Sequence, residues 1–234
     1  MKREFGAVGV VFLLSVVGCN VVDSGPTQTA SEEVDAGKAE SVRAEIRMGA
    51  GTLHVEGGAA KLLSGSFRYS GKVGRPTVRY ELTGDFGRLT VESPKDSNSG
   101  GKTVNEWDLR MGSGVPLKMN VTLGAGESNL DMSQLPLQSL EVNMGAGEMI
   151  LNVAGKYTKD VAVEVNGGVG EAQIRLPKDV GAEVTATGGI GEISTKGLTQ
   201  RNGKYYNDAY AEGKPAVRMN VQGGIGSITF RVGD

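Results

Sequence analysis

The chain has 234 residues, with 25 basic and 27 acidic side chains and a formal charge of −2. That balance lacks the basic footprint of a nucleic-acid-binding protein and offers no polybasic patch to anionic lipid. A lone cysteine, Cys19, excludes an intramolecular disulfide and a cysteine-built metal site.

In chain order, the first element predicted is an export signal. Residues 1–18 read MKREFGAVGVVFLLSVVG, with Lys2 and Arg3 ahead of an apolar run from Phe5 to Val17. That run is short of the roughly 20 residues a spanning helix needs, and a basic start, an apolar core and small residues describe a secretory signal peptide. It ends in Val16-Val17-Gly18-Cys19, which resembles the lipobox of bacterial lipoproteins. The resemblance implies a thioether lipid on Cys19, cleavage before it and acylation of the new amino terminus, so that the mature chain is exported and held at the cell membrane. Asn20 replaces the aspartate that resembles an inner-membrane retention signal, which favours the outer membrane in a source that has one. Loss of Lys2, Arg3 and Glu4 with the signal changes the net charge from −2 to −3. Several acyl chains make detachment slow, because each buried methylene contributes about 0.8 kcal/mol.

Residues 19–40 continue NVVDSGPTQTASEEVDAGKAE after the cysteine. They are poor in large apolar side chains and are predicted to form a lipidated, disordered tether. About 20 residues reach roughly 70 Å when extended and roughly 25 Å as a coil.

Residues 41–234 are predicted to form one all-β domain, a length such domains reach. Glycine supplies 37 residues of the chain, and it is periodic. The segments AEIRMGAGTLHVEG (44–57), MNVTLGAGESNLDM (119–132), LEVNMGAGEMILNV (140–153), VEVNGGVGEAQIRL (163–176), AEVTATGGIGEISTKG (182–197) and MNVQGGIGSITFRV (219–232) share one design. An alternating apolar stretch leads into Gly-x-Gly, and a second alternating stretch leaves it. The paired glycines are Gly49 and Gly51, Gly124 and Gly126, Gly145 and Gly147, Gly168 and Gly170, Gly189 and Gly191, and Gly224 and Gly226. Weaker copies are predicted at 80–93, around Gly84 and Gly87, and at 108–121, around Gly112 and Gly114.

From Gly124 to Gly189 the steps are 21, 23 and 21 residues, and the step to Gly224 is 35. The longer step holds an insertion near 197–215. Periods of this size mark solenoids or stacked arrays. Period-2 alternation places apolar side chains on one face of extended segments. Glycine permits positive φ or close backbone approach. One unit cannot bury its apolar face, so the units are expected to stack with each Gly-x-Gly above the last. The predicted fold is therefore a β-solenoid-like stack of short strands, about 21–23 residues per repeat. No stretch sustains a helical period with caps.

The repeated GAGE-type motif between alternating stretches resembles toast-rack domains and the related extracytoplasmic domain of LiaF-type cell-envelope stress proteins. The resemblance is strongest over 117–197. It implies a stacked β-fold, no established catalytic residues and a role in cell-envelope maintenance or stress response. The transmembrane helices of LiaF-type proteins have no counterpart in this sequence, which weakens a signalling role.

The motifs point away from common chemistries. No Gly-x-Gly is followed by the Gly-Lys-Ser/Thr of a P-loop or by the third glycine and helix of a dinucleotide fingerprint. Gly167-Gly168-Val169-Gly170-Glu171 and Gly223-Gly224-Ile225-Gly226-Ser227 lack the aspartate of a calcium roll. Glu127, Glu148, Glu171 and Glu192 each follow a Gly-x-Gly. Their stacking would form a carboxylate column, read either as solvent-facing residues or as a divalent-cation ladder. His54 is the sole histidine, and it is expected at a surface or packed strand position. Trp107, the sole tryptophan, is expected in the core or at an end cap. In the insertion, Tyr205, Tyr206 and Tyr210 suit either packing or contact with a sugar or partner. No cofactor, catalytic residue or metal site is assigned. The expectation is a non-enzymatic lipoprotein that presents a β-scaffold to an envelope protein partner, with glycan or small-ligand binding through Tyr205–Tyr210 as the alternative.

Overall fold

The computed structural model describes residues 26–94 and 103–233. The signal sequence and Cys19 lie outside these residues. The described chain forms fourteen strands and no helix: β1 (Thr27–Val34), β2 (Ser41–Ala59), β3 (Leu63–Ser70), β4 (Thr77–Thr83), β5 (Phe86–Glu92), β6 (Asn105–Gly112), β7 (Leu117–Asp131), β8 (Leu137–Asn152), β9 (Val161–Leu176), β10 (Gly181–Ile190), β11 (Ile193–Lys196), β12 (Thr199–Arg201), β13 (Lys204–Tyr206) and β14 (Ala216–Val232). This is the all-β, solenoid-like stack the repeats predict, built mainly from parallel pairs in one open sheet.

The long strands are the rungs. In β8, Leu140, Val142 and Met144 are buried before the Gly-x-Gly, and Met149 and Leu151 after it, followed by buried Val153 just past the strand. The buried parity switches from even to odd across the motif. The two halves of each rung thus turn their apolar faces onto one shared core. First halves form one wall, extended beyond β2 by β5 and β4. Second halves form the other, extended by β6, β3 and β1. The glycine pairs run along the ridge where the walls meet.

Gly145 and Gly147 show why glycine is required there. A Cβ on Gly145 would lie 2.2 Å from the Gly124 carbonyl oxygen of the rung beside it. Gly147 has φ +130°, and its Cβ would lie 1.8 Å from the Gly126 oxygen. Position and conformation both exclude a side chain.

The rungs do not stack in sequence order. The order is β2-β7-β8-β9-β14-β10, so the last rung lies between β9 and β10. This corrects the expectation that each Gly-x-Gly sits above the preceding one. The reason lies in the apolar content of the second halves. Ile228 and Phe230 of β14 are 6% and 0% exposed, as an interior rung requires. The corresponding segment of the last-but-one repeat is interrupted at Gly191-Glu192, and its Ile193 is only half-buried, which suits an end rung. Residues 197–215 make the return possible. β12 and β13 form a hairpin against the outer edge of β10. Buried Asn207 then latches the insertion in place. Its Nδ2 donates to the carbonyls of Pro177 (2.8 Å) and Val180 (2.9 Å), and its Oδ1 accepts from Ala182 N–H (2.8 Å).

Three local expectations are also revised. Residues 27–34, assigned to the disordered tether, form β1 against β3. An edge strand needs little apolar surface, and here Ala30 and Val34 pack on the core while Glu33 and Glu32 pair with Lys61 and Arg75. Residues 80–93 are a β4–β5 hairpin turning at Gly84-Asp85, because glycine at φ +64° supplies a tight turn. Residues 108–121 are the end of β6, a loop and the start of β7. Neither segment is a rung.

Tyr157 helps close the base of the wedge opposite the ridge. It is nearly buried, and its hydroxyl donates to the Met132 carbonyl at 3.4 Å. Burial, helped by nearby Asp131, pushes its pKa up to about 12. The folded state therefore favours the neutral phenol. Its contribution is complete below the ordinary tyrosine pKa near 10 and is lost as pH rises toward 12. Denaturant unfolding at pH 9 and pH 12 is expected to show a loss of stability that is smaller in Tyr157→Phe. An identical loss in both proteins would exclude Tyr157 as its source.

Candidate functional site

Because the rungs are in register, each sequence position becomes a column of side chains across the sheet, with strands about 4.8 Å apart. Such columns build three surfaces available to a ligand.

The first column is the middle residue of each Gly-x-Gly, exposed along the ridge. It runs Ala50, Ala125, Ala146, Val169, Ile225, Ile190. The last three are large and 54%, 54% and 73% exposed. Beneath them the core-facing position changes from Met48, Leu123 and Met144 to Gly167, Gly223 and Gly188. The loss of three large side chains opens a small cleft of about 50 Å³ lined in part by Met144, Met149, Val221 and Ile228.

The second column holds the glutamates. Glu127, Glu148 and Glu171 are consecutive and exposed. Ser227 of β14 then follows Glu171. The inserted rung thus separates Glu192 from the others, so the four glutamates do not form one unbroken column. Among the described residues, no group of three or more His, Cys, Asp or Glu side chains is arranged to hold a metal ion.

The third surface is the outer face of the first-half wall, where an open groove of about 570 Å³ crosses six rungs. One row along it is Arg43, Lys118, Ser139, Ala162, Arg218 and Glu183. The parallel row is Glu45, Asn120, Glu141, Glu164, Asn220 and Thr185. Glu141 is held on both oxygens, by Asn120 Nδ2 at 2.8 Å and Asn143 Nδ2 at 2.9 Å. Asn166 Nδ2 donates onward to Asn143 at 3.0 Å. Arg218 pairs with Asp160 and Glu183, each at 3.2 Å. Hydrogen bonding from Lys204, with a further bond from Tyr210, holds the Glu183 carboxyl below the usual glutamate range.

The insertion tyrosines divide between core and surface. Tyr205 lies opposite Val184 and packs on the core. Tyr206 lies opposite Glu183, and Tyr210 donates to Glu183 at 3.0 Å. The rings of Tyr206 and Tyr210 are 4.7 Å apart, and Arg201 sits over Tyr206 at 5.1 Å. This aromatic pair stands at one end of the groove.

Two further residues have structural surroundings. Trp107 is fully buried, edge-on to Phe67 at 5.6 Å, and its indole N–H donates to Asn105 Oδ1 at 2.8 Å. Asn105 Nδ2 donates to the Ala50 carbonyl at 2.6 Å, which caps the end of the ridge. His54 is exposed on β2, opposite Asp108 and Asn129.

The family described as the N-terminal domain of toast_rack, DUF2154, matches residues 23–175. The chain belongs to the toast-rack family. The match spans the rungs β2, β7, β8 and β9, whose paired glycines build the ridge. Among solved structures, this toast-rack chain is similar to a "putative cell adhesion protein" from Clostridium sporogenes, at 28% identity and TM-score 0.82, over 89% of this chain and 100% of that one. It also matches a "putative adhesin" from Bacteroides fragilis at 11% identity and TM-score 0.32, over 88% of this chain and 97% of that one. Among curated proteins, none matches.

The groove rows were missed in sequence. Aligning the repeats on their first glycine places Lys118, Ser139 and Ala162 in one column and Asn120, Glu141 and Glu164 in the next. The outward positions change residue type from rung to rung, so no motif marks them.

Proposed function

We propose that this toast-rack protein is an exported lipoprotein, anchored through Cys19, that serves as a non-catalytic adhesion or docking scaffold at the cell envelope. The observation that carries the reading is the in-register array: six rungs present the same sequence positions as continuous exposed columns. A rigid repeating face suits recognition of an extended partner, since stacked repeats create extended binding surfaces. Likeness to the Clostridium sporogenes protein, described as a "putative cell adhesion protein", supports it. The lipobox-like run before Cys19 supplies the anchor. Cys19→Ala in the full chain is expected to block lipidation and cleavage of the signal, so that labelled fatty acid is no longer incorporated and the protein accumulates as the longer precursor. Unchanged maturation and membrane retention of that variant would overturn the anchor, and unchanged cell attachment to envelope-coated surfaces on deleting the whole protein would overturn the adhesive role.

A second reading is glycan binding, favoured by the Tyr206–Tyr210 pair beside the groove. Aromatic faces stack on sugars while neighbouring carboxylates and amides bond their hydroxyls. Tyr205 has no part in it, because its ring packs on the core.

A further inference from the structure

We infer that the groove on the outer face of the first-half wall is a binding site for a zwitterionic glycan segment, whose sugars carry amino groups and carboxylates. The inference rests on the binding role and assigns it a place and a ligand chemistry.

Shape comes first. Lys118 and Arg218 are long side chains in the same row, separated by Ser139 and Ala162. The two small residues lower the floor between them. The gap is three strand spacings, about 14 Å, enough for two or three pyranose rings. The groove runs across the strands, so successive rungs meet successive sugars.

Charge selects the ligand. Among the described residues, Arg43, Lys118 and Glu164 form no ion pair within the wall, although all three are exposed and line the groove. Arg43 and Lys118 are neighbours in the first row, and Glu164 lies beside the hydrogen-bonded Glu141 in the second. The rows are two residues apart along each strand, about 6.6 Å. A ligand carboxylate meets the cations of one row while a ligand ammonium meets the carboxylates of the other. A polyanion would face Glu141 and Glu164, and a polycation would face Arg43 and Lys118, so one sign alone is disfavoured.

Hydrogen bonding favours a sugar over a peptide strand. The interior rungs already pair on both sides in the sheet, so no free backbone edge is offered at the groove floor for strand addition. What the groove offers is side chains: Asn120, Ser139, Asn220 and Thr185 donate to and accept from hydroxyls. Tyr206 and Tyr210 continue the site past Glu183 as a stacking surface.

The test is calorimetric titration of the detergent-solubilised full chain with three tetrasaccharides: alternating glucosamine and glucuronic acid, its N-acetylated form, and its carboxyl-reduced form. The parent saccharide is expected to bind, and each modification to weaken binding about tenfold, as loss of one charged contact predicts. Lys118→Gln should remove the preference for the carboxylate form alone, and Glu164→Gln the preference for the free amine alone. Ala162→Trp, at an exposed position, should refill the floor and abolish binding without changing the melting temperature. No heat with any saccharide, equal binding of all three, or full binding by Ala162→Trp would each overturn the inference. If attachment of cells persists while the groove binds none of these sugars, the scaffold reading stands and only the ligand assignment falls.

Discussion

Gly147→Ala is expected to destabilise the domain by roughly 3–5 kcal/mol, a magnitude reserved for a few named mechanisms. Two act together here. The residue sits at φ +130°, where an L side chain is strained by about 1–3 kcal/mol. The added methyl would also lie 1.8 Å from the Gly126 carbonyl oxygen. That atom belongs to the backbone of the adjacent rung and cannot swing aside as a side-chain tip can. Relief requires separating β7 from β8 at the ridge, which weakens parallel pairing on both walls. Gly49→Ala is the control at an unobstructed ridge position. Gly49 is the first glycine of its ridge pair, without the positive φ of Gly147, and no atom lies within 4 Å of its added Cβ. Its effect is expected to stay within about 0.5 kcal/mol. Urea unfolding of both variants checks the pair. Equal midpoints would mean that stacking of rungs does not dictate glycine at the ridge.

Trp107→Ala is expected to cost a similar amount, about 3–5 kcal/mol, as large aromatic truncations in cores do. Trp107 is 0% exposed and packs edge-on against Phe67. Its removal also leaves Asn105 Oδ1 without the indole donor, so the damage extends to the residue capping Ala50. For a domain of this size the loss corresponds to a fall of about 10 °C in melting temperature. Trp107→Phe separates the two parts. It keeps an aromatic ring in the core but loses the hydrogen bond and the volume of the second ring, with an expected cost of about 2–3 kcal/mol. Calorimetric melting of the three proteins tests this ordering. A Phe variant as unstable as the Ala variant would place the energy in the hydrogen-bonded cap rather than in packing.

Much of the fold is legible in the amino-acid sequence. Alternation in LEVNMGAGEMILNV identifies the residues that turn inward, and Leu140, Val142, Met144, Met149, Leu151 and Val153 are buried. Such patterning is local, and a strand with one buried face must carry it. β1 was not legible because an edge strand needs almost no apolar signature, and TQTASEEV has the composition of a tether. The hairpin at Gly84 was misread for the opposite reason. A glycine between alternating stretches serves a ridge or a tight turn equally well, and only the partner strand distinguishes them.

The candidate site divides in the same way. The three tyrosines were visible as a cluster, but their facing depends on β13 pairing with β10, which turns Tyr205 inward and leaves Tyr206 beside Glu183. The glutamate column was visible as four equivalent positions. Its break at Ser227 follows from a strand that arrives 35 residues after the preceding glycine.

The amino-acid sequence by itself determined the unit of this protein: a rung with two apolar half-faces, joined at a glycine pair that tolerates no side chain once rungs stack. Those properties depend on side-chain alternation and steric exclusion within a few residues. The tertiary structure alone decided the order of the rungs, and with it which side chains share a surface. Every rung carries nearly the same pattern, so local rules allow any of them to neighbour any other. The choice falls to a non-local balance. β14, with Ile228 and Phe230 fully packed, gains by lying between two rungs, while the interrupted β10 and β11 are suited to the end. That single exchange separates Glu192 from Glu171 and brings Arg218 beside Ala162 to form one side of the groove.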